Sequence, residues 1–387
     1  MNGNSSRRNF LAGGLALPAL GIAAVPSRPV MGPMMPQAAA PEFQYRVIGK
    51  TGLKVTSVGC GCMITSDQSV VERAAAIGIT YFDTARGYQR GNNERMVGEA
   101  LKSKRKDIVL STKTPSRTGA EAKADLETSL KTLGTDWVDI WYLHGRSKPE
   151  DLTDDLIEVQ QQAKKEGKIR FAGVSTHSGQ PELIPAIIKN GNIDVILTSY
   201  NFTMDPNMGP LIESAKEAGI GIVAMKVMAG GFRRLQPGNP VYDTLSKDGA
   251  MLAALKWVLR NKNVDTTVPS ITDMEQLEEN LKAMGSPFSA ADEQLLAAQL
   301  DYIRPLYCRM CGQCEGTCAK GLPVSDILRY LSYSEGYGQY GLGREHFLQL
   351  AGDMQSVRCR DCSECTVDCP NGVRVAERLA RAQEVFA

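Results

Sequence analysis

The chain has 387 residues, with 44 Lys and Arg against 43 Asp and Glu, 43% hydrophobic residues and 6% aromatic ones. That length holds one large domain plus a small one, and a formal charge of +1 excludes a nucleic-acid or membrane-surface protein driven by a basic field. Eight of the ten cysteines fall between Cys308 and Cys369, which makes them a local device and not a chain-wide disulfide framework.

Residues 1–40 read as an address. Arg7, Arg8 and Arg28 are the only charges before Glu42, and Ser6-Arg7-Arg8-Asn9-Phe10-Leu11 resembles the twin-arginine export signal of bacteria. The apolar stretch 12–25 follows, with three Gly and one Pro, short of the roughly 20 residues that span a bilayer. Ala38-Ala39-Ala40 offers a small-residue cleavage site. The signal implies the twin-arginine translocase as a partner and a periplasmic or otherwise exported location.

From residue 45 onward, short β-rich runs alternate with amphipathic helical stretches. The runs are 55–61, 79–85, 108–114, 138–145, 169–177, 193–201, 220–229 and 264–272; helical segments such as 120–133, 152–166 and 252–260 separate them. Gly78, Gly167 and Gly219 stand between a helix and the next strand, where a left-handed cap needs no Cβ. Apolar runs such as Val195-Ile196-Leu197 suit strands buried on both faces. Eight such units predict an α/β fold, a (β/α)8 TIM barrel over 45–300. A mostly helical domain is predicted over 301–387.

Chemistry in such barrels sits at the C-terminal ends of the strands. Asp83, Tyr88, Lys113 and His144 reach one rim from three consecutive strand ends. Each alone has a plain reading, as cap, ion pair, core histidine or packed aromatic; their joint arrival favours a catalytic set. A phenol has an ordinary pKa of about 10, and an ammonium held beside it by a carboxylate is expected to draw that value down. Tyr88 then serves as proton donor to a carbonyl oxygen, and neutral His144 orients the same oxygen. Cys60 and Cys62, two apart on the first strand, face one side of the barrel mouth, as small apolar packing more than as metal ligands. His177 ends the fifth strand and touches substrate or makes a structural hydrogen bond.

On these residues the segment 45–284 resembles the aldo-keto reductases. The resemblance implies Tyr88 as proton donor, Lys113 and Asp83 as its tuning pair, and His144 as carbonyl orienter. It further implies a nicotinamide cofactor, NADP or NAD, extended across the barrel mouth, with a small aldehyde, ketone or alcohol as substrate. Ser175 matches the family's carboxamide-binding strand, whereas Thr176 stands where Asn is common and Leu197 where Gln is usual. Met225 or a neighbour replaces the stacking aromatic. Ser270, Thr272, Gln276, Glu279 and Asn280 lie in a segment similar to the family's adenosine-phosphate segment, although Ser270, Thr272 and Gln276 equally suit a helix start. Because 268–280 lacks Lys and Arg, a 2′-phosphate would look to Lys226, Arg233 or Arg234. Gly230 and Gly231 would let backbone N–H groups approach phosphate.

Cys308-x2-Cys311-x2-Cys314-x3-Cys318 is followed, 40 residues on, by Cys359-x2-Cys362-x2-Cys365-x3-Cys369-Pro370. This spacing, twice, indicates two [4Fe–4S] clusters and resembles bacterial two-cluster ferredoxins. The resemblance implies Cys308, Cys311, Cys314 and Cys369 on one cluster and Cys359, Cys362, Cys365 and Cys318 on the other. Disulfides and zinc are the alternatives. Ala319 replaces the usual Pro, and the insert reads as helical over 324–333 and 343–354, a helical ferredoxin-like domain. The twin-arginine route carries folded, cofactor-loaded proteins, so the nicotinamide must travel bound and turn over in place. The clusters either stabilise the C-terminal domain or wire it to a redox protein partner. A competing reading makes the chain an iron–sulfur electron-transfer or interaction protein whose barrel is a scaffold; the intact tetrad opposes it and the altered cofactor contacts favour it.

Overall fold

A computed structural model describes residues 43–229 and 249–387 of the chain. The twin-arginine motif and the Ala38-Ala39-Ala40 site lie outside the described residues, as do Gly230, Gly231, Arg233 and Arg234.

The eight-stranded sheet runs in sequence order from β3 (Cys60–Gly61) through β4 (Tyr81–Asp83), β5 (Val109–Thr114), β6 (Val138–Leu143), β7 (Ile169–Thr176), β8 (Val195–Ser199) and β9 (Gly221–Met225) to β10 (Thr266–Thr267), every pairing parallel. Parallel bridges from Val58 to Thr267 and from Gly61 to Ser270 join the last strand to the first, so the ring is closed. Along β6 the side chains alternate: Ile140 and Tyr142 fill the barrel interior, and Trp141 and Leu143 pack outward under the helices. Both faces are buried, as a parallel sheet requires.

The outer layer is α1 (Gln68–Ile77), α2 (Asn92–Leu101), α3 (Gly119–Leu133), α4 (Asp154–Lys165), α5 (Gln180–Asn190), α6 (Met208–Glu217) and α7 (Ala250–Leu259). Capping sets their ends: Asp67 accepts from the Ser69 N–H at the start of α1, and Gly78, at φ 111°, ends it.

The first strand departs from its expected span of 55–61. Lys54–Thr56 (β2) instead pairs antiparallel with Tyr45–Val47 (β1), and the ring takes only Cys60–Gly61 as a strand, with the Val58 bridge before it. The reason is a plug. Ile48, Leu53 and Val55 of this hairpin fill the barrel interior from its N-terminal end, and the Arg46 guanidinium donates to the carbonyls of Leu259 and Asn261 at 2.6 and 3.1 Å. A Cβ at Gly49 would lie 2.4 Å from the Gly221 nitrogen, so only glycine lets the hairpin seat against the strand ends.

After α8 (Met274–Gly285), α9 (Ala290–Ile303) packs Leu296 on Ala253 and Ala254 of α7 and leads into the helical region. There α10 (Val324–Glu335), α11 (Tyr340–Leu348), α12 (Gly352–Ser356) and α13 (Val375–Phe386) enclose a core of their own, with Leu322, Ile327, Leu331, Phe347 and Phe386 at its centre. The single helix expected over 343–354 is two. Ala351 is extended (φ −56°, ψ 144°), and the Gln355 amide caps the freed carbonyls of Leu348 and Leu350 at 3.0 and 2.6 Å.

Candidate active site

Asp83 ends β4, Lys113 lies in β5, and His144 follows β6 with its N–H on the Thr114 carbonyl at 2.9 Å. Tyr88 sits five residues past Asp83, at the head of a short turn. Gln89 and Arg90, at φ 49° and 55°, are both left-handed non-glycine residues, and Gly91 continues the twist at φ 86°. Such backbone costs on the order of 1–3 kcal/mol per residue and persists only when neighbours hold it. Here the Gln89 amide is anchored on the Thr65 carbonyl at 2.8 Å. The outcome is that Tyr88 turns inward over the strand ends.

The four side chains meet. Lys113 Nζ donates to Asp83 at 2.5 Å, to the Thr84 carbonyl at 2.7 Å and to the Tyr88 hydroxyl at 3.2 Å. The Tyr88 and His144 rings pack edge to face, 5.9 Å between centroids. Below them a row of hydroxyls runs into the barrel: Tyr142 to Tyr81 at 2.9 Å, Tyr81 to Ser111 at 3.1 Å, and Ser111 to the second oxygen of Asp83 at 2.7 Å. Lys113 and Asp83 are almost fully buried, so their pairing is held in a low-dielectric site.

The expected acidification of Tyr88 is corrected by this burial. Desolvation first, and then the Asp83 carboxylate, push the phenol well above its ordinary value, so it stays protonated throughout the neutral range. Lys113 is lowered by burial against the opposing pull of Asp83. His144 and His177 are held well below the usual imidazole value by burial and then by nearby cations, Lys113 and Arg329 for the first, Arg329 and Lys226 for the second. Both imidazoles are therefore neutral.

A narrow pocket opens beside Tyr88, lined by Asp83, His177, Met225, Lys226, Ser270, Thr272 and Gln276, with Gly336 and Tyr337 of the helical region over it. Three of the expected cofactor residues thus reach the mouth from the eighth strand's segment while also starting α8: Asp273 caps that helix by accepting from the Gln276 N–H at 2.8 Å, and the Gln276 amide donates to Thr272 Oγ1 at 2.8 Å. Asn280 is fully buried on α8, with neither its amide nitrogen nor its oxygen partnered among the described residues. An adenine edge is the kind of partner that such an amide accepts. Glu279 is half-buried one position before it. Ser175 is buried, its hydroxyl accepting from the Gly145 N–H at 3.0 Å, and the Thr176 hydroxyl turns away to the Ser178 carbonyl at 2.6 Å. Lys226, left-handed at φ 57°, lies under the rings of Tyr333 and Tyr337 at 4.5 and 5.1 Å, so its ammonium faces aromatics of α10 and the turn after it.

Cys60 and Cys62 do not line the mouth. Both are fully buried in the layer between strands and helices, their sulfurs 3.9 Å apart, which is the small apolar packing expected of them. His177 does border the pocket, its ring centroid 6.4 Å from that of His144. The sequence reading missed Arg329, Tyr333 and Tyr337, which the helical region brings over the barrel. Their spacing was a usable signal: they share one stripe of α10 and its continuation, opposite the apolar face of Val324, Ile327, Leu328 and Leu331.

Among the described residues, no three His, Cys, Asp or Glu side chains converge as they stand on one metal position. The thiols nevertheless sort into two sets. Cys308 is pushed up to about 12 by burial and by Cys314, Cys311 and Cys369; Cys359 is pushed up to about 11 by burial and by Cys318, Cys362 and Cys365. The Asn371 amide donates to Cys311 Sγ at 3.2 Å. The donor chemistry of each set, four cysteines, with the Asn371 amide beside the first and the Gln383 side chain beside Cys359 of the second, fits an iron–sulfur cluster.

Residues 65–300 match the profile of the Aldo/keto reductase family. The uncharacterized oxidoreductase YqkF of Bacillus subtilis is 29% identical over 308 residues, covering 68% of this chain and 98% of that protein. L-galactose dehydrogenase of Arabidopsis thaliana is 27% identical, covering 68% and 94%. Among solved structures, the holo form of aldo-keto reductase AKR11C1 from Bacillus halodurans superposes with a TM-score of 0.58 at 28% identity, covering 66% of this chain and 96% of that one. With the profile matched over more than half its length and a closed barrel carrying the four clustered side chains, the chain belongs to the aldo/keto reductase family and is an NAD(P)-dependent oxidoreductase of that type.

Proposed function

We propose that the chain is an exported enzyme that reduces aldehydes or ketones, or oxidises the corresponding alcohols, with a bound NADP(H) or NAD(H). The observation that carries this reading is one ammonium, Lys113 Nζ, within hydrogen-bond reach of both Asp83 and the Tyr88 hydroxyl at the strand ends. A reduced nicotinamide, when bound beside Tyr88, supplies the hydride. Neutral His144 donates an N–H to the carbonyl oxygen and fixes its direction. As charge builds on that oxygen, Tyr88 gives up its proton, and Lys113 stabilises the phenolate left behind. The high resting pKa of Tyr88 suits this role, because the proton stays in place until the oxygen becomes basic. Asp83 keeps Lys113 charged and aimed. Met225, Ser270, Thr272 and Gln276 would hold the cofactor, with Ser175 on its carboxamide and Asn280 on its adenine end; Lys226, Glu279 and Gly230 complete the proposed set.

The same proposal places two [4Fe–4S] clusters on the C-terminal cysteines, Cys308, Cys311, Cys314 and Cys369 on one, and Cys318, Cys359, Cys362 and Cys365 on the other. The sorting of the thiols into these two sets supports it. The twin-arginine-like start of the sequence supports export of the folded, loaded protein, and Gly336 and Tyr337 over the pocket support retention of the nicotinamide. Domain limits follow: a signal over 1–40, the barrel over 45–300 and the ferredoxin-like domain over 301–387.

The test is carbonyl-dependent oxidation of NADPH and NADH by anaerobically purified protein. Tyr88→Phe is expected to lower turnover by about 10²- to 10⁴-fold with cofactor binding retained. Equal rates in both proteins would remove Tyr88 from the reaction. Iron and acid-labile sulfide analysis reads the clusters, and denaturation of the exported form should release about one nicotinamide per chain if the retention argument holds.

A further inference from the structure

A second cavity, of about 1100 Å³, opens between the C-terminal loops of the barrel and the helical region. His144 and His177 border it from the barrel, and Arg309, Cys311 and Arg329 border it from the opposite side. It therefore adjoins the tetrad at His144 and shares His177 with the cofactor pocket.

One side chain in this wall has no structural explanation. Arg146, two residues past His144, is fully buried. Its Nη2 donates to the Ser116 carbonyl, but Nε and Nη1 have no partner among the described residues. The nearest carboxylate, Asp151, is already taken by the N–H groups of Ser147 and Lys148 and by Arg117 at 3.1 Å. A guanidinium presents five N–H donors, and burying it with most of them unpaired is unfavourable unless a partner supplies the missing acceptors. His177 Nδ1, in the same wall, is likewise buried without a partner.

Arg117, Arg146, Lys148, Arg309 and Arg329 stand on this wall beside Glu182, Asp205, Glu315 and Asp326. The groups that act on the two imidazoles are Lys113, Lys226, Arg329 and Arg146 itself. Of the four wall carboxylates, Asp326 is spent on Arg329 at 2.6 Å, Glu315 accepts from the Ser325 N–H at 3.2 Å and Asp205 from the Asn207 N–H at 2.8 Å, which leaves Glu182. Buried, unpartnered donors next to a carbonyl-activating pair define a complement: an anion attached to a carbonyl.

We propose that this cavity takes a substrate carrying a carboxylate or a phosphate, whose oxygens accept from the unpartnered N–H groups of Arg146 and from His177, with the carbonyl directed to Tyr88 and His144. The assignment rests on the carbonyl-reductase reading above and supplies its substrate class. The anion does two things at once. It satisfies the buried guanidinium, and it fixes the distance from the charged end to the reacting carbon. Because Arg309 and Arg329 come from the cysteine-rich region, the specificity pocket is built jointly by both parts of the chain.

The test uses anaerobically purified holoenzyme and matched pairs: 4-oxobutanoate against its methyl ester for the carboxylate, glyceraldehyde 3-phosphate against glyceraldehyde for the phosphate. In at least one pair the charged member should show a KM lower by about 10- to 100-fold, the range of a charge-assisted hydrogen bond. Arg146→Gln should shrink that gap below about threefold, and Arg146→Lys should restore part of it. Equal KM values within both pairs, or a preference that survives Arg146→Gln, overturns the anion site. If Arg146→Gln does not fold, the wild-type pairs alone decide. If no aldehyde turns over, the reductase reading fails, and calorimetry with succinate and inorganic phosphate judges the site by itself: binding lost in Arg146→Gln and partly kept in Arg146→Lys supports it, and no binding to the wild type, or binding that survives Arg146→Gln, overturns it.

Discussion

The barrel mouth and the cysteine-rich region are organised by opposite means. At the mouth three of the four proposed catalytic side chains are held by the protein itself: Lys113 by Asp83 and the Thr84 carbonyl, Asp83 by Ser111, Tyr88 by the left-handed turn behind it. In the cysteine-rich region the helices share a small apolar core, while the cysteines hang from loops with left-handed turns at Met310, Gly312 and Gly316, and Cys365 is exposed. One part finishes its site with its own hydrogen bonds. The other carries its thiols on loops, and the physical lesson is that preorganisation here follows strand order, whereas loop-borne donors would need the proposed cluster to gather them.

The strongest way to break that contrast is to strip iron with a chelator under anaerobic conditions. Metal–thiolate sites contribute on the order of 10 kcal/mol to folding, so α10 to α13 should lose helicity and become protease-sensitive while a barrel fragment survives. Retention of all four helices would show that the region stands on its apolar core alone. Next come paired truncations. Trp141→Ala, which empties a fully buried site under the outer helices, should cost about 3–5 kcal/mol in barrel unfolding, and Leu331→Ala should cost about 2–5 kcal/mol in the helical region. Two separate calorimetric transitions, each moved by only one variant, would sharpen the division; a single shared transition would dissolve it.

A smaller effect lies at the seam. His346 stacks on Tyr330 at 5.2 Å, and burial, then the Arg329 guanidinium, hold its imidazole down to about 4. A folded value below the ordinary 6.5 means that the unfolded chain takes the proton first. Its contribution is complete above pH 6.5 and is lost as pH falls toward 4. Allowing for its partial exposure, about 1–2 kcal/mol is at stake, and His346→Gln should flatten that segment of the stability profile. Smallest of all is Arg90→Ala. Its 3.1 Å bridge to Glu345 is exposed, so unfolding should move by less than about 0.5 kcal/mol.

Much of the barrel was legible because parallel strands buried on both faces leave continuous apolar runs, and glycine marks where each helix ends. The first strand misled for a physical reason: β2 and β3 lie in one β-rich run, and only the plug's contacts with the strand ends divide them. Asp83, Lys113 and His144 were readable from their places at strand ends. The resting state of Tyr88 was not, because its pKa depends on burial and on Asp83, terms that exist only after folding. Arg146 was not singled out by any motif; that its guanidinium is enclosed and under-used follows from packing. The roof over the mouth was equally hidden, since no local pattern says where a distant helix will rest.

The row of hydroxyls beneath Asp83 has a consequence for how this barrel can change over time. Every proton in it points the same way, from Tyr142 to Tyr81 to Ser111 to the carboxylate. Phenylalanine at 81 alone would strand the Tyr142 hydroxyl and take a donor from Ser111, each orphan costing about 1–3 kcal/mol, whereas phenylalanine at both positions removes the demand together with the supply. The interior should therefore drift by paired replacements, with the catalytic carboxylate as the fixed end of the line.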